Sequence, residues 1–306
     1  MKKVSTKLIF TITFISVRIF ASDIEGKITV DEFERNYIIH LPKNYSSSKK
    51  YPLVLVFHGG GGNAWQIRNY TRFNTLSDRE NFIVAYPDAL GKNWNDGREG
   101  EKLPDTDDVK FISELINTIG ALWNVDTSRI FATGISNGGF FSIYLAYKLS
   151  GKILAIAPVA AAIPENYAHS FRTEYPVSLL LINGTDDRLV KYHGGEVGVG
   201  ENTGRGKNIS TDRTIEIWTA NNNCQNSVKI EKLDDKDTDD GCKATRYTYY
   251  NCSGNTEVIL IKIKGGGHSW PGAKPVLPKI IAGNTCMDFS ATEIIWEFFK
   301  TRTPRN

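Results

Sequence analysis

The residues best suited to chemistry in this 306-residue chain lie far apart: Ser136, the neighbouring Asp186 and Asp187, and His268. Ser136 sits in Gly134-Ile135-Ser136-Asn137-Gly138, a G-x-S-x-G pentapeptide between the apolar Ile130–Thr133 and a helical pattern that starts at Phe140. A turn that sharp, from strand to helix, forces the serine into a strained backbone, and flanking side chains larger than hydrogen would collide. Glycines on both sides relieve the clash and leave the hydroxyl at a helix start, where the dipole favours developing negative charge. The pentapeptide alone reads equally well as a glycine-rich strand-to-helix connection, so its partners must decide.

A serine hydroxyl is a poor nucleophile at neutral pH. It needs a base within hydrogen-bond reach, an acid to orient that base, and donors for an oxyanion. When loops at the carboxyl ends of successive strands supply them, the order along the chain is serine, acid, histidine. The acid candidates are Asp186 and Asp187, where Leu179-Leu-Leu-Ile-Asn-Gly-Thr ends a strand, and spacing does not choose between them. One of the two must be a turn or cap residue. Of five histidines, His40 and His58 precede Ser136, His169 precedes the acid, and His193 lies too close behind Asp187 to approach independently. His268 remains, in the loop Gly265–Gly272 directly after the apolar Val258–Ile263.

Oxyanion donors have a candidate in Phe57-His-Gly-Gly-Gly-Gly-Asn63, which ends an early strand and opens a helix. Backbone N–H groups at Gly60 and Gly61, with that of Asn137 at the helix start, suit a negative oxygen. The run lacks both G-x-x-x-x-G-K-[ST] and a well-formed G-x-G-x-x-G unit, which argues against a phosphate loop. Trp94 and Trp270 fall in loops at the same sheet edge and read as walls of an apolar or aromatic cleft, or else as loop packing.

A sheet must carry these loops. Continuous apolar runs at Leu53–Phe57, Phe82–Tyr86, Ile130–Thr133, Leu154–Val159, Ser178–Ile182 and Val258–Ile263 have the character of strands covered on both faces. Between them, helical spacing runs over Trp65–Leu76, Asp107–Leu122, Gly138–Leu149, Thr211–Thr219 and Ser290–Phe299, with Asp107 as an N-cap. Alternation of this kind predicts an α/β fold, a doubly wound, mostly parallel sheet of about eight strands with helices on both faces. Lys27–Val30 and Tyr37–Leu41 read as an antiparallel edge hairpin, Gly194–Gly206 as a polar surface loop, and Lys229–Asn251 as a hairpin around an acidic tip. That tip lacks the glycine and terminal glutamate of a calcium loop, and a solvated turn is its plainer reading.

Residues 1–21 have a basic start (Lys2, Lys3, Lys7), an apolar core from Leu8 to Val17 and the cleavage-like Ile19-Phe-Ala21, the pattern of a signal peptide. The apolar core is too short for a comfortable span, so export is expected rather than a membrane anchor. One domain over residues 22–306 is expected, secreted or periplasmic. Losing the leader removes four cations and no acids, moving the formal charge from +3 to about −1. No basic stripe points to nucleic acid. The even count of four cysteines in an exported chain suggests two disulfides, and no spacing suggests a metal site.

The segments Tyr86-Pro-Asp-Ala, Trp94-Asn-Asp-Gly-Arg98, Asp107-Asp-Val-Lys-Phe111, Gly134-Ile-Ser-Asn-Gly-Gly139, Gly184-Thr-Asp-Asp187 and Gly267-His-Ser-Trp-Pro-Gly272 together resemble exported α/β-hydrolases of the polyhydroxybutyrate-depolymerase and feruloyl-esterase-like group. The likeness spans about Gly26 to Phe299, and His-Ser-Trp-Pro-Gly is its most specific part. It implies an α/β-hydrolase fold and a serine carboxylic-ester hydrolase that uses Ser136, His268 and, from the last residue of a G-T-x-D element, Asp187. It further implies a disulfide between Cys224 and Cys252, no cofactor or metal, and Tyr192, the tyrosine after the acid, beside the substrate with Trp94 and Trp270. The implied partner is an ester substrate, a polyester oligomer or a plant-polysaccharide ester such as acetylxylan. Departures at Lys191-Tyr192 and in the long Gly194–Gly206 segment bear on substrate rather than mechanism. A non-catalytic binding protein on the same fold and a peptidase are the competing classes.

Overall fold

Tyr51–Phe57 (β3) is buried at every position, as a strand with helices over both its faces must be. In the computed structural model, which describes residues 22–100, 104–198, 203–225 and 227–305, the chain opens with β1 (Ser22–Val30) and β2 (Phe33–Leu41). After β3 come α1 (Ala64–Thr71), α2 (Phe73–Glu80), β4 (Ile83–Pro87), α3 (Asp108–Leu122) and β5 (Val125–Ile135). Then follow α4 (Asn137–Lys148), β6 (Ala155–Val159), α5 (Glu165–Ala168), β7 (Ser178–Gly184), β8 (Gly195–Glu196), β9 (Lys207–Asn208) and α6 (Thr211–Asn221). The chain finishes through β10 (Val228–Lys232), β11 (Lys243–Tyr249), β12 (Val258–Lys264), α7 (Lys279–Ala282) and α8 (Ala291–Lys300).

The main sheet runs β1-β2-β4-β3-β5-β6-β7-β12-β11-β10, ten strands rather than about eight. Its centre, from β4 to β12, is parallel throughout. The added pair is the Lys229–Asn251 hairpin, whose β11 takes the open edge of β12 in antiparallel register from Lys243↔Lys264 to Tyr249↔Val258. Side chains alternate between two cores: Leu53, Leu55 and Phe57 pack with α3, α4 and α6, whereas Val54 and Val56 pack with α1, α2 and α8. Helices therefore lie on both faces.

Local signals set the helix ends. Asp107 caps α3 by accepting from Lys110 N at 2.8 Å, and Asn63 caps α1 through Gln66 N. The single helix read over Trp65–Leu76 is two, because Arg72 takes a left-handed conformation (φ 55°) between α1 and α2. Short β8 lies inside the segment Gly194–Gly206 read as a loop and pairs antiparallel with β9 directly after it.

Cys224 and Cys252 are disulfide-bonded. The second disulfide is not formed: Cys242 and Cys286 are buried free thiols. Their sulfurs lie within 4.8 Å of each other and of an Asp240 carboxylate oxygen. The two carboxylate oxygens of Asp240 accept from the backbone N–H groups of Cys242 and Met287, so this side chain braces the hairpin tip. Among the described residues no helix is long and apolar enough to cross a membrane. The leader expected at 1–21 lies outside them.

Candidate active site

Strand β5 delivers Ser136 to the rim of the sheet, and the serine takes φ 57° and ψ −124° immediately before α4. Only special support holds a non-glycine residue there. The support is the absence of side chains. A Cβ on Gly134 would lie 2.6 Å from the Phe57 carbonyl oxygen, and one on Gly138 would lie 2.3 Å from the same atom. Ser136 N donates to the Val159 carbonyl at the end of β6, and Ser136 O accepts from Phe140 N to start the helix.

Two strands further on, Asp186 and Asp187 follow the end of β7, and the two part company. Asp186 is exposed and takes the Thr185 hydroxyl at 2.7 Å. Asp187 is buried. Its Oδ1 accepts from the N–H groups of Leu189 and Val190, both at 2.8 Å, and its Oδ2 lies 2.7 Å from His268 Nδ1. The loop after β12 carries the histidine and is clasped by the segment before α8: Gly267 N reaches Asn284 O, and His268 N reaches Ala282 O. Since β5, β6, β7 and β12 are consecutive neighbours and parallel, all three side chains leave the sheet at one edge. Among the described residues the Ser136 hydroxyl makes no hydrogen bond to His268.

The glycine run approaches the serine from β3, with a Cβ built on Gly59 only 3.6 Å from Ser136 Cβ. Three donors were expected here, and one is lost. Gly61, at φ 78°, spends its N–H on the Lys92 carbonyl at 2.8 Å. The N–H groups of Gly60 and Asn137 carry no such bond among the described residues, the latter because the first N–H of a helix has no intrahelical partner. His58 stabilises the run: its Nδ1 meets Gly59 O at 2.8 Å and its Nε2 lies 3.1 Å from Ala89 N. Since Ala89 N can only donate, Nε2 accepts and Nδ1 carries the proton. Burial holds the His58 pKa below the usual histidine value.

The Asn137 side chain faces inward. Its Oδ1 accepts from Trp94 N at 2.7 Å, while its Nδ2 donates to Trp94 O and to Asp96 Oδ2. Asp96 is buried, and Arg98, which lies over the Phe140 ring, offsets its charge at 2.7 Å. The sequence flagged Trp94–Arg98 as a motif but assigned no task to Asp96 or Arg98. A charged pair two residues apart in a loop otherwise dominated by surface-type residues was the available signal.

The aromatic substrate contacts are overturned. Trp94, Trp270 and Tyr192 are 0%, 1% and 2% exposed, leaving no surface for a ligand. Trp94 stacks on Phe141 and donates Nε1 to the His58 carbonyl. Trp270 donates to Thr292 and packs edge-on to Phe73. Tyr192 donates to Asp212 at 2.6 Å beneath the Lys262 ammonium. Each ring satisfies its polar atom inside the protein, which is what makes complete burial favourable.

Residues 35–174 match the family described as esterase PHB depolymerase, a span that includes Gly60, Ser136 and Asn137 and ends before Asp187 and His268. The putative esterase NocK of Nocardia uniformis subsp. tsuyamanensis is 28% identical over 255 residues, covering 81% of this chain and 73% of that protein. Feruloyl esterase B of Piromyces equi is 30% identical over 77% of this chain, which spans only 42% of its length. Among solved structures, acetyl xylan esterase from Aspergillus awamori superposes with a TM-score of 0.59 at 15% identity, covering 90% of this chain and 99% of that one. The shared architecture is the α/β-hydrolase fold.

Proposed function

We propose, from the premise that this chain belongs to the esterase family resembling polyhydroxybutyrate depolymerases and feruloyl esterases, that it hydrolyses carboxylic esters through Ser136, His268 and Asp187. The observation that carries the reading is the buried 2.7 Å contact of His268 Nδ1 with Asp187 Oδ2, on the sheet edge that also bears a strained serine.

Ser136 Oγ attacks the ester carbonyl while His268 Nε2 takes its proton. Asp187 holds the ring in the tautomer that leaves Nε2 unprotonated beforehand, and its charge stabilises the imidazolium afterwards. The N–H groups of Gly60 and Asn137 receive the oxyanion. Collapse returns the proton to the leaving alcohol, and water repeats the cycle on the acyl-enzyme. The serine–histidine hydrogen bond need not exist at rest, since such contacts often tighten only with substrate bound. Substrates follow the relatives: hydroxyalkanoate oligomers, feruloyl esters or acetylated xylan. The leader at 1–21 and the Cys224–Cys252 bridge support a single exported catalytic domain in an oxidising compartment.

Hydrolysis of p-nitrophenyl acetate and labelling by a fluorophosphonate, each in the native protein and in Ser136→Ala, test the reading. Both are lost in the variant, with its circular dichroism spectrum unchanged. Esterase activity that survives the substitution refutes the assignment.

A further inference from the structure

Among the described residues, the acyl-transfer scheme leaves a cation beside the reacting groups without a task. Gly60 lacks a side chain, and a Cβ there would meet Asn93 Oδ1 at 2.8 Å, Arg205 Nη1 at 3.2 Å and Asn137 Cβ at 3.8 Å. The last two distances keep Arg205 Nη1 within about 7 Å of the Cβ that follows Ser136 in the chain. The guanidinium therefore lies on bare backbone at the edge of the proposed oxyanion site.

An anchored turn presents it. Gly204 N donates to Glu196 Oε1 at 3.1 Å, Val197 N donates to Gly206 O at 2.9 Å, and Gly206 packs so tightly on the Glu99 carbonyl that a Cβ would sit 2.6 Å from it. Among the described residues Arg205 enters no ion pair, and neither Glu196 nor Glu99 reaches it. Its Nε is buried and has no hydrogen-bond partner among the described residues. A half-buried guanidinium with spare donors is unfavourable until an anion arrives, and its planar fork matches a carboxylate better than a point charge would.

We propose that Arg205 forms a subsite for a carboxylate on the substrate, so that the preferred esters are anionic. The inference rests on the esterase reading above. The carboxylate has two chemical sources, the free terminus of a hydroxy-acid oligomer or a uronic acid in an acylated glycan.

Two matched substrate pairs separate them: the 3-hydroxybutyrate dimer against its methyl-capped form, and acetylated glucuronoxylan oligosaccharides against acetylated xylan oligosaccharides. In one pair the native enzyme favours the acid. Arg205→Gln lowers kcat/KM for that acid by about 10- to 100-fold, the worth of a charged hydrogen bond, and leaves the neutral member and p-nitrophenyl acetate unchanged. Arg205→Lys restores part of the preference. Equal turnover within both pairs, or an equal loss on acid and neutral esters in Arg205→Gln, overturns the assignment. Calorimetric titration of Ser136→Ala with the preferred acid, with and without Arg205→Gln, reads the subsite without turnover. Failure of the esterase reading shows instead as a native protein inert to every ester, p-nitrophenyl acetate included.

Discussion

Replacing Asp187 by Asn separates a catalytic aspartate from a structural one, because its two oxygens do different work. Oδ1 accepts from Leu189 N and Val190 N, and Oδ2 faces His268 Nδ1 at 2.7 Å. An asparagine can keep its carbonyl oxygen on the two backbone donors and turn its NH₂ towards the ring. Two donors then face each other, so the ring resolves the conflict by moving its proton to Nε2, where it can no longer accept from Ser136. Such a tautomer switch in a Ser-His-Asp triad of intact geometry costs about 10⁴ in kcat, or about 5.5 kcal/mol of barrier. Folding changes little, since no buried donor is orphaned. Asp187→Ala, by contrast, leaves both backbone donors unpaired at about 1–3 kcal/mol each, and lowers Tm by several degrees as well. Asp186→Asn is the control: its side chain is exposed and, among the described residues, holds only the neighbouring threonine. Initial rates on p-nitrophenyl butyrate with thermal melts of all three variants decide the matter. An Asp187→Asn enzyme within tenfold of native kcat refutes the reasoning, as does an Asp186→Asn enzyme that is equally impaired.

Two further outcomes follow from the support around Ser136. His58 has a depressed pKa because burial disfavours its charged form, so the unfolded chain binds a proton below about pH 6.5 that the folded protein refuses. Its stabilising contribution is whole above that pH and is lost as the pH falls; the Tm difference between native protein and His58→Gln is therefore larger at pH 8 than at pH 5, and a pH-independent difference contradicts the account. Gly138→Ala puts a Cβ 2.3 Å from Phe57 O and 2.6 Å from His58 O, backbone atoms that cannot swing aside. About 1–3 kcal/mol of stability is lost to overpacking and kcat/KM falls by about 10²-fold as the serine shifts, measured by melting and initial rates; native-like values mean that the elbow is not held by this contact.

Much of the frame was legible because a strand covered on both faces has no polar side to show, so Leu53–Phe57 and Ser178–Ile182 announce themselves as unbroken apolar runs. Ordering alone led to His268 and to the Asp186–Asp187 pair, since the carboxyl ends of parallel strands lie on one edge, whereas the choice of Asp187 came from the family resemblance. What failed depends on orientation. Trp94, Trp270 and Tyr192 occur in loops, and the same letters would serve a ring facing a cleft or a ring facing the core. The availability of Gly61 as a donor turned on a positive φ that aims its N–H at Lys92. The Lys229–Asn251 hairpin was legible, but its place in the main sheet was not, because β11 joins the open edge of β12 by backbone pairing, which leaves a weak trace in side-chain periodicity; four of the five residues of β10 are exposed. Arg205 carried no local signal, for its neighbours in space are residues 60, 93 and 137.

The buried Asp96–Arg98 pair is best understood through Asn137 rather than through any direct part in the reaction. Holding Ser136 in its strained conformation costs about 1–3 kcal/mol, and the strain relaxes if the first turn of α4 rotates. Asn137 blocks that rotation, because both ends of its amide are tied to the Trp94–Asp96 segment. The tie needs an acceptor that does not drift, and a buried carboxylate held by Arg98 supplies one. Removing the guanidinium alone would strand a charge at a cost of about 3–5 kcal/mol, whereas the intact pair fixes the direction of the Asn137 backbone N–H before substrate arrives. Fixing donors in advance is what makes an oxyanion site effective. On this reasoning the Trp94–Arg98 motif and the G-x-S-x-G turn are one device, built from segments about forty residues apart.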